Sequence, residues 1–536
     1  SSCKVDHQSW RRTWEFFRRF AKTPMAAIEL FGLLWGQLQV AHMLKDIKGD
    51  WQNLRPLPAV AFFLSMPLVL MPSQAKRFLP LASIACGLYL IFYGSRSNHI
   101  NQDCMVNLAI VLAAAGPRFE RSLSVAVHWY LVALYLVSAL HKLNSDWFDT
   151  HVSCASSVSG TLLAQYVPTM VPAGSTLSKL ILETAPHAAA VFEVLLPGLL
   201  VVAPPSRSMA WQGACIRLAV ILGSIFHLSL ALPLPPASFY PFSASCLALY
   251  PLLMPDVSEK LTERFTRVMG PFGWMALQGL MLSVCAAANI SGAWSSWVKG
   301  GPHDVPFEYP PYDLYNAGIC WCFGVTGFLI FFALLGEDLR ERNEAKKPNL
   351  RAAFVVVLAT LFIGLGPYIG TRTYPAFAMF SNLRVEGSHP NHLFLGNGYD
   401  VLGLQSDTVD VLETNSSALR SFQVDLSQLF TSQTESYFAA AKLQKALWIC
   451  PPKWSHEVKE FQAFSAPAVA LYQRLGDTDV AWYARVRRGG VESIINDVND
   501  LRGKCDTRVP TWLCDMAQQF VGPFRAFDDK YSPCRH

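Results

Sequence analysis

Lys142 is the residue whose type and position point most directly to chemistry, because it ends an apolar stretch. Residues 122–141 contain no Asp, Glu, Lys or Arg, and a run of about 20 such residues spans a bilayer. A lysine at this boundary commonly snorkels, with its ammonium among the headgroups. It acts as a base when a dry pocket favours the neutral amine. Both interpretations of Lys142 stay open on the residue alone.

Other ionisable residues lie inside apolar stretches, where burial is costly unless they are paired or hydrated. Glu193 and Arg217 occupy neighbouring stretches. An ion pair between them and a role for Glu193 in proton transfer are the two interpretations. His128 lies within the apolar stretch that ends at Lys142. Its imidazole likewise has either a structural role or a functional one.

The composition is that of a polytopic membrane protein. Of the 536 residues, 52% are hydrophobic and 15% charged, and the mean hydropathy is +0.26, which is too apolar for a soluble globule. Basic residues flank the apolar stretches, so membrane topology explains the net charge of +5. We therefore expect membrane lipids as partners and no nucleic acid.

The predicted fold is an all-α bundle of about eleven transmembrane helices with a small C-terminal α+β domain outside the membrane. Apolar stretches lie at about 25–44, 57–72, 77–95, 104–116, 120–141, 186–203, 208–232, 237–255, 272–294, 316–336 and 351–370. After about residue 372 the pattern changes to alternating segments, with helical periodicity at about 432–449 and 491–501. Residues 372–536 are long enough for one core.

The distribution of Lys and Arg predicts the topology. Residues 1–24 interleave basic with aromatic residues, as in an amphipathic helix on the inner membrane surface. The basic loops alternate, and an odd number of crossings puts residues 372–536 on the lumenal or outer side. Both end segments are candidate surfaces for protein partners. Whether the membrane is the endoplasmic reticulum or an organelle inner membrane stays open.

Three segments, in this order, carry a family resemblance. They are Ser97-Asn98-His99, then Lys142-Leu143-Asn144-Ser145-Asp146-Trp147, then Phe226-His227-Leu228 followed by Phe239-Tyr240-Pro241-Phe242. Together they resemble the HTTM domain, the membrane core of vitamin K-dependent γ-glutamyl carboxylases and their bacterial relatives. The resemblance covers approximately residues 20–256. With the composition of the remaining chain, this gives an HTTM-like core at 25–256, further transmembrane helices at 257–371 and a C-terminal extramembrane domain at 372–536, which we call the outer domain.

The resemblance implies a reaction on reduced vitamin K or another quinol. Lys142 would be the base, His99 with Asn98 would stabilise developing charge, and His227 would line the site. Taken singly, His99 is equally explained as a loop histidine and His227 as a helix-end histidine bonded to a carbonyl. All of these residues fall on the predicted outer face, where they can converge on one pocket.

The same resemblance gives supporting roles to three more residues. Asp146 and Trp147 would fix the helix end beside the base, and Tyr240 would contact the substrate. A quinol is thus the expected cofactor. We predict no metal, because no cysteine pair has metal-ligand spacing.

Departures from the carboxylases leave the second substrate open. Residues 229–232 read Ser-Leu-Ala-Leu where the carboxylases are polar, and nothing in the tail resembles their propeptide-binding region. These departures do not argue against binding or oxidation of a quinol, because that needs only an apolar pocket with a few polar groups. The alternative is a non-catalytic scaffold subunit of a larger membrane complex.

Four cysteines of the tail predict disulfides on the outer side. They are Cys450, Cys505, Cys514 and Cys534. An even number in an oxidising compartment indicates two bridges, with three pairings open.

Overall fold

A computed structural model describes most of the helical core and parts of the tail. The described residues are 27–49, 56–93, 98–205, 210–233, 240–254, 312–335, 350–372, 376–378, 381–386, 390–396, 398–420, 424–425, 436–437, 439–440, 447–448, 463–475 and 482–520. The predictions for residues 1–24, for the apolar stretch at 272–294, and for Cys450 and Cys534 lie outside them.

Helices make up most of the described chain. They are α1 (Ala27–Gly49), α2 (Pro56–Leu70), α3 (Ala75–Tyr93), α4 (Asn98–Ala114), α5 (Phe119–His141), α6 (Ser145–Phe148), α7 (Cys154–Tyr166), α8 (Thr176–Val202), α9 (Ala210–Ala231), α10 (Tyr240–Leu249), α11 (Tyr312–Leu335), α12 (Arg351–Gly364), α13 (Ser417–Arg420), α14 (Ala468–Leu475) and α15 (Thr511–Phe520). Each predicted apolar stretch that the structure describes falls on one of them.

Fewer described helices have the length of a membrane span than the sequence predicts. Three, α5, α8 and α9, are long and apolar enough to cross a membrane, and α2 with α3 adds a fourth if this pair, bent by 116°, crosses as one span. Apolar segments in α1, α11 and α12 are shorter. The described chain therefore has the features of a membrane protein, and the count of eleven crossings is not confirmed.

The helix that ends at Lys142 lies at the centre of the bundle. In its most apolar window 72% of α5 is buried, against 28% for α8 and 39% for α9. An apolar helix that is buried on all sides belongs to a core, whereas apolar faces left exposed on α8 and α9 suit contact with lipid. On its far side α5 meets α12 closely, because a Cβ added at Gly364 would collide with the side chain of Val137.

A small antiparallel sheet forms the core of the tail. The strands of the tail are β1 (Thr408–Thr414), β2 (Val424–Asp425), β3 (Leu447–Trp448), β4 (Phe464–Pro467), β5 (Ala484–Arg488) and β6 (Val491–Ile495). The sheet has the strand order β4-β1-β5-β6, and β2 pairs with β3 separately. The buried faces of β1, β4 and β5 pack against α14, which confirms a small α+β unit.

The helix expected at 491–501 is wrong over its first half. Gly489 and Gly490 have φ angles of 58° and 80° and join β5 to β6 as a two-residue hairpin. Such a turn needs positive φ at both positions, which glycine adopts without steric cost. The Gly-Gly pair therefore favours a β-hairpin here, although the residues that follow it have helical periodicity.

The chain after α12 covers the Lys142 end of α5. We call its described residues 376–378, 381–386 and 390–392 the cap segment. The side chain of Asn382 accepts from the backbone N–H of Cys154 at 2.8 Å and donates to the carbonyl of Val152 at 2.9 Å. The carbonyl of Asn391 accepts from the N–H of Ser145 at 2.9 Å. The chain after α12 is thus fastened to the end of the bundle that carries the candidate base.

Candidate functional site

A cavity of about 400 Å³ lies at the Lys142 end of α5, between α5, α7, α8 and α9. Small-molecule sites usually enclose about 300–1,000 Å³ and have mostly apolar walls with a few polar groups. The apolar wall includes Leu134, Val158, Leu162, Phe192, Phe226 and Phe242. The cavity therefore has the size and lining of a site for an amphiphilic molecule.

Lys142 and Glu193 form a buried ion pair in the wall of this cavity. The Nζ atom of Lys142 lies 2.8 Å from Oε2 of Glu193, and the two side chains are only 7% and 6% exposed. Ser138 joins them, since its Oγ accepts from Nζ at 3.1 Å and donates to Oε2 at 3.1 Å. The ring of Trp147 lies 5.1 Å from Nζ and provides a cation–π contact.

This pair corrects two interpretations drawn from the sequence. Lys142 does not snorkel into the headgroups, because its side chain is buried. The ion-pair partner that the structure gives Glu193 is Lys142 rather than Arg217. The reason is the antiparallel packing of α8 on α5, which brings Glu193 to the C-terminal end of α5, while Arg217 lies on α9.

Prolines in α8 help to build the walls of the cavity. Pro186 has no N–H, so the carbonyl of Leu182 lacks its usual helical donor. That carbonyl accepts from Oγ of Ser156 on α7 at 2.8 Å, and the carbonyl of Pro186 accepts from Nε1 of Trp147 at 2.9 Å. The proline thereby leaves an acceptor for α7, and its own carbonyl holds the indole beside Lys142.

Asn144 fixes the turn that follows Lys142. Its Nδ2 donates to the carbonyls of His141 and Ser381 at 2.9 and 2.6 Å, and its Oδ1 accepts from the N–H of Trp147 at 2.8 Å. The family resemblance implies this role for Asp146 and Trp147. Asp146 does not line the cavity, and its carboxylate accepts from Ser145 instead. An N-capping asparagine before a short helix is a signal that could have been read from the sequence.

Asn98 contributes a further polar group to the cavity wall. Its side chain is buried, and Oδ1 accepts from the N–H of Phe377 in the cap segment at 2.8 Å. Its Nδ2 has no partner among the described residues. A buried amide donor without a partner is costly, so a ligand acceptor in the cavity would satisfy it. The neighbouring His99 does not line the cavity.

His227 lies behind the cavity wall and is connected to it through Tyr135. The hydroxyl of Tyr135 is 2.7 Å from Nε2 of His227 and 2.8 Å from the hydroxyl of Tyr250. All three side chains are buried, and only Tyr135 lines the cavity. His227 is therefore placed to orient Tyr135 rather than to touch a ligand.

The remaining candidates lie away from the cavity. His128 is bonded through Nε2 to the carbonyl of Leu200 at 3.0 Å, and fourteen residues of helix separate it from Lys142, which is about 21 Å. Tyr240 packs over Gly318 on α11. For both residues the structure supports a packing role.

The structure also bears on the predicted metal and disulfide chemistry. No group of three or more His, Cys, Asp or Glu side chains with metal-binding geometry occurs in the part of the chain that the structure describes. Cys505 and Cys514 form one of the predicted disulfides. Cys154, in the cavity wall, is disulfide-bonded too. Cys154 is not among the four tail cysteines for which the sequence predicts disulfides.

Comparisons with protein-family models, curated proteins and solved structures find no match to this chain. The likeness to the HTTM domain therefore rests on the three motifs. Each of the three motifs contributes residues to the cavity wall, namely Asn98, then Lys142 and Trp147, then Phe226 and Phe242, while His99 and His227 do not reach it.

Proposed function

We propose that the cavity binds the hydroxylated head of a quinol-type lipid and that the Lys142–Glu193 pair withdraws a proton from it. The observation that carries the proposal is a buried ion pair 2.8 Å long in the wall of an apolar cavity of about 400 Å³. Buried ionisable groups inside an apolar bundle are costly and mark functional sites by default.

The shape of the cavity supports a ligand with a polar head and an apolar tail. Its polar groups Asn98, Lys142 and Glu193 are buried. Thr184 and Ala188 on α8 and Ile225 on α9 also line the cavity, yet they are exposed on the outside of the bundle. An opening between two helices of span length faces the bilayer, so a lipid tail can extend there while the head contacts the ion pair.

The pair can accept a proton whichever way its own protons are arranged. An ammonium facing a carboxylate and an amine facing a carboxylic acid contain the same number of protons. After a ligand hydroxyl gives up its proton, both arrangements become an ammonium beside a carboxylic acid. The ammonium of Lys142 then stabilises the negative charge left on the ligand, and the free Nδ2 of Asn98 adds a donor.

The carboxylase resemblance extends this proposal to a reaction class. The ligand would then be reduced vitamin K, which would react with dioxygen. One oxygen atom would enter the epoxide and the other would leave as water. Carboxylation of a second substrate is not part of the proposal, because residues 229–232 and the tail depart from the carboxylases. The proposed topology keeps eleven crossings, with the N-terminus inside and the cavity end on the lumenal or outer side.

The test is oxygen-dependent epoxidation of reduced vitamin K by the purified full chain. Lys142→Ala and Glu193→Gln should each lower the rate about 100-fold or more, the usual contribution of a positioned acid–base group. His128→Gln is the matched control, since it changes a buried imidazole remote from the cavity and should keep the parental rate. Parental epoxidation by folded Lys142→Ala would refute the role of the pair.

The alternative function is a non-catalytic scaffold subunit of a membrane complex. The position of His99 and His227 outside the cavity wall favours it, because two residues that the resemblance makes functional do not touch the site. The scaffold function would be supported if the folded, unsubstituted protein co-purifies with other membrane proteins but neither binds nor oxidises any quinol.

A further inference from the structure

An exposed apolar turn follows the cap segment. We call the described residues 393–396 and 398–401 the tip. It combines five large hydrophobic residues at the surface, among which Phe394 is 76% and Tyr399 80% exposed; the others are Leu393, Leu395 and Val401. Single exposed hydrophobic residues are ordinary, but a contiguous group marks an interaction surface.

The tip is fastened to the ends of two helices of the bundle. The N–H of Leu393 donates to the carbonyl of Leu143, just beyond α5, at 2.9 Å. The N–H of Val401 donates to the carbonyl of Ile369, just beyond α12, at 3.3 Å. These bonds hold the tip at the level where apolar helices end, which is the boundary between the hydrocarbon and the headgroups.

An apolar stripe on α12 runs toward the same place. Phe354, Leu358 and Phe362 are spaced by four residues, so they share one face of the helix, and all three are largely exposed. In a bilayer this face contacts acyl chains. The tip, attached where α12 ends, continues the stripe into the interfacial layer.

The polar features of the tip also fit a lipid surface. Residues 387–399 contain no Asp, Glu, Lys or Arg. Asp400, the first charged residue after them, turns its carboxylate toward the backbone N–H groups of Gly403, Gln405 and Ser406 at 2.7 to 3.0 Å. Tyrosine and other aromatic residues are enriched at membrane interfaces.

From these observations we infer that the tip inserts into the interfacial layer of the bilayer and anchors the outer domain to the membrane surface. Its occupant is phospholipid, on the same leaflet as the Lys142 end of the bundle. The inference is independent of the quinol chemistry, since neither Lys142 nor the cavity takes part. A second copy of the chain and a protein partner are the competing occupants.

Site-specific photocrosslinking distinguishes these occupants. The full chain carries p-benzoylphenylalanine in place of Phe394, is reconstituted in phosphatidylcholine vesicles and is irradiated. Mass spectrometry then identifies the adducts. Phe394 is exposed and close in size to the probe, so the fold should tolerate the replacement. Position 362 on α12 is the positive control, and Ile494, exposed on β6, is the negative control.

Phospholipid adducts at 394 and 362, with at least tenfold less at 494, are the expected result. Crosslinks from 394 to protein would assign the tip to a partner or a second copy. No adduct at 394 beside a strong one at 362, or lipid adducts at 494 equal to those at 394, would overturn insertion of the tip.

Discussion

Replacing Lys142 with methionine should destabilise the helical core, because it leaves the carboxylate of Glu193 buried without its counter-charge. Glu193→Leu should do the same by leaving the ammonium of Lys142 buried. The double variant removes both charges together and fills the space with apolar side chains. It should therefore be more stable than either single variant.

The size of the effect follows from the distance and the burial. Two unit charges 2.8 Å apart attract by about 6 kcal/mol at an effective dielectric constant of about 20. The cost of removing both ions from water offsets much of this attraction, so the intact pair adds little net stability. Removing one partner typically costs about 3–5 kcal/mol, whereas replacing both partners with apolar residues is often neutral.

The assay is unfolding of the purified chain in mixed micelles by a titration with SDS, with the midpoint compared among the parent, both single variants and the double variant. Arg487→Met is the control, because its ion pair with Glu492 is exposed at the surface of the sheet and should not change the midpoint. A double variant whose loss equals the sum of the single losses would show that Lys142 and Glu193 do not interact, and would refute the reasoning.

Three other predictions concern packing, hydrogen bonding and pH. Gly364→Ala should cost about 1–3 kcal/mol by overpacking against Val137, while Gly327→Ala, with open space around it, should cost nothing in the same titration. Tyr135→Phe should cost about 1–3 kcal/mol through two lost hydrogen bonds, with an unchanged helix signal in circular dichroism. Burial lowers the pKa of His392 below 6.5, so the cap segment should keep its stability above pH 6.5 and lose it as the pH falls toward the lowered value, seen as smaller amide protection factors once the intrinsic exchange rate at each pH is divided out.

The helices of the core were predictable because apolar length is a local property of the sequence. The stretch before Lys142 gives α5 to within a residue or two, and the stretches at 186–203 and 208–232 give most of α8 and α9. The number of crossings was less predictable. For example, α4 buries Gln102 and Asp103, and its apolar part alone is too short to span a bilayer.

The partner of Glu193 could not be predicted, because it depends on how α8 is rotated and shifted against its neighbours. Composition shows only that Glu193 and Arg217 lie in adjacent stretches. The antiparallel register that brings Glu193 to Lys142 is set by contacts far apart in sequence, such as His128 with the carbonyl of Leu200 and Trp147 with the carbonyl of Pro186. Single-sequence periodicity carries no information on these pairings.

The cap segment was the part of the site that sequence reasoning missed entirely. Its contacts with the Lys142 end depend on side-chain amides, namely Asn144 with Ser381 and Asn382 with Val152 and Cys154. No spacing rule predicts such bonds across more than 200 residues. Asparagines in an irregular segment were the available signal, since their side chains bond readily to backbone groups.

Stability and chemistry are coupled at this site, and the coupling determines which variant can assign the function. A single change at Lys142 removes the proposed base and also leaves a buried charge, so lost activity alone would not separate chemistry from folding. The double variant at Lys142 and Glu193 lacks both proton-accepting groups yet should keep the fold. If this variant is stable and still binds a quinol but forms no epoxide, the ion pair acts in the reaction. If it is stable and fully active, the pair is a structural contact and the cavity needs no base from the protein.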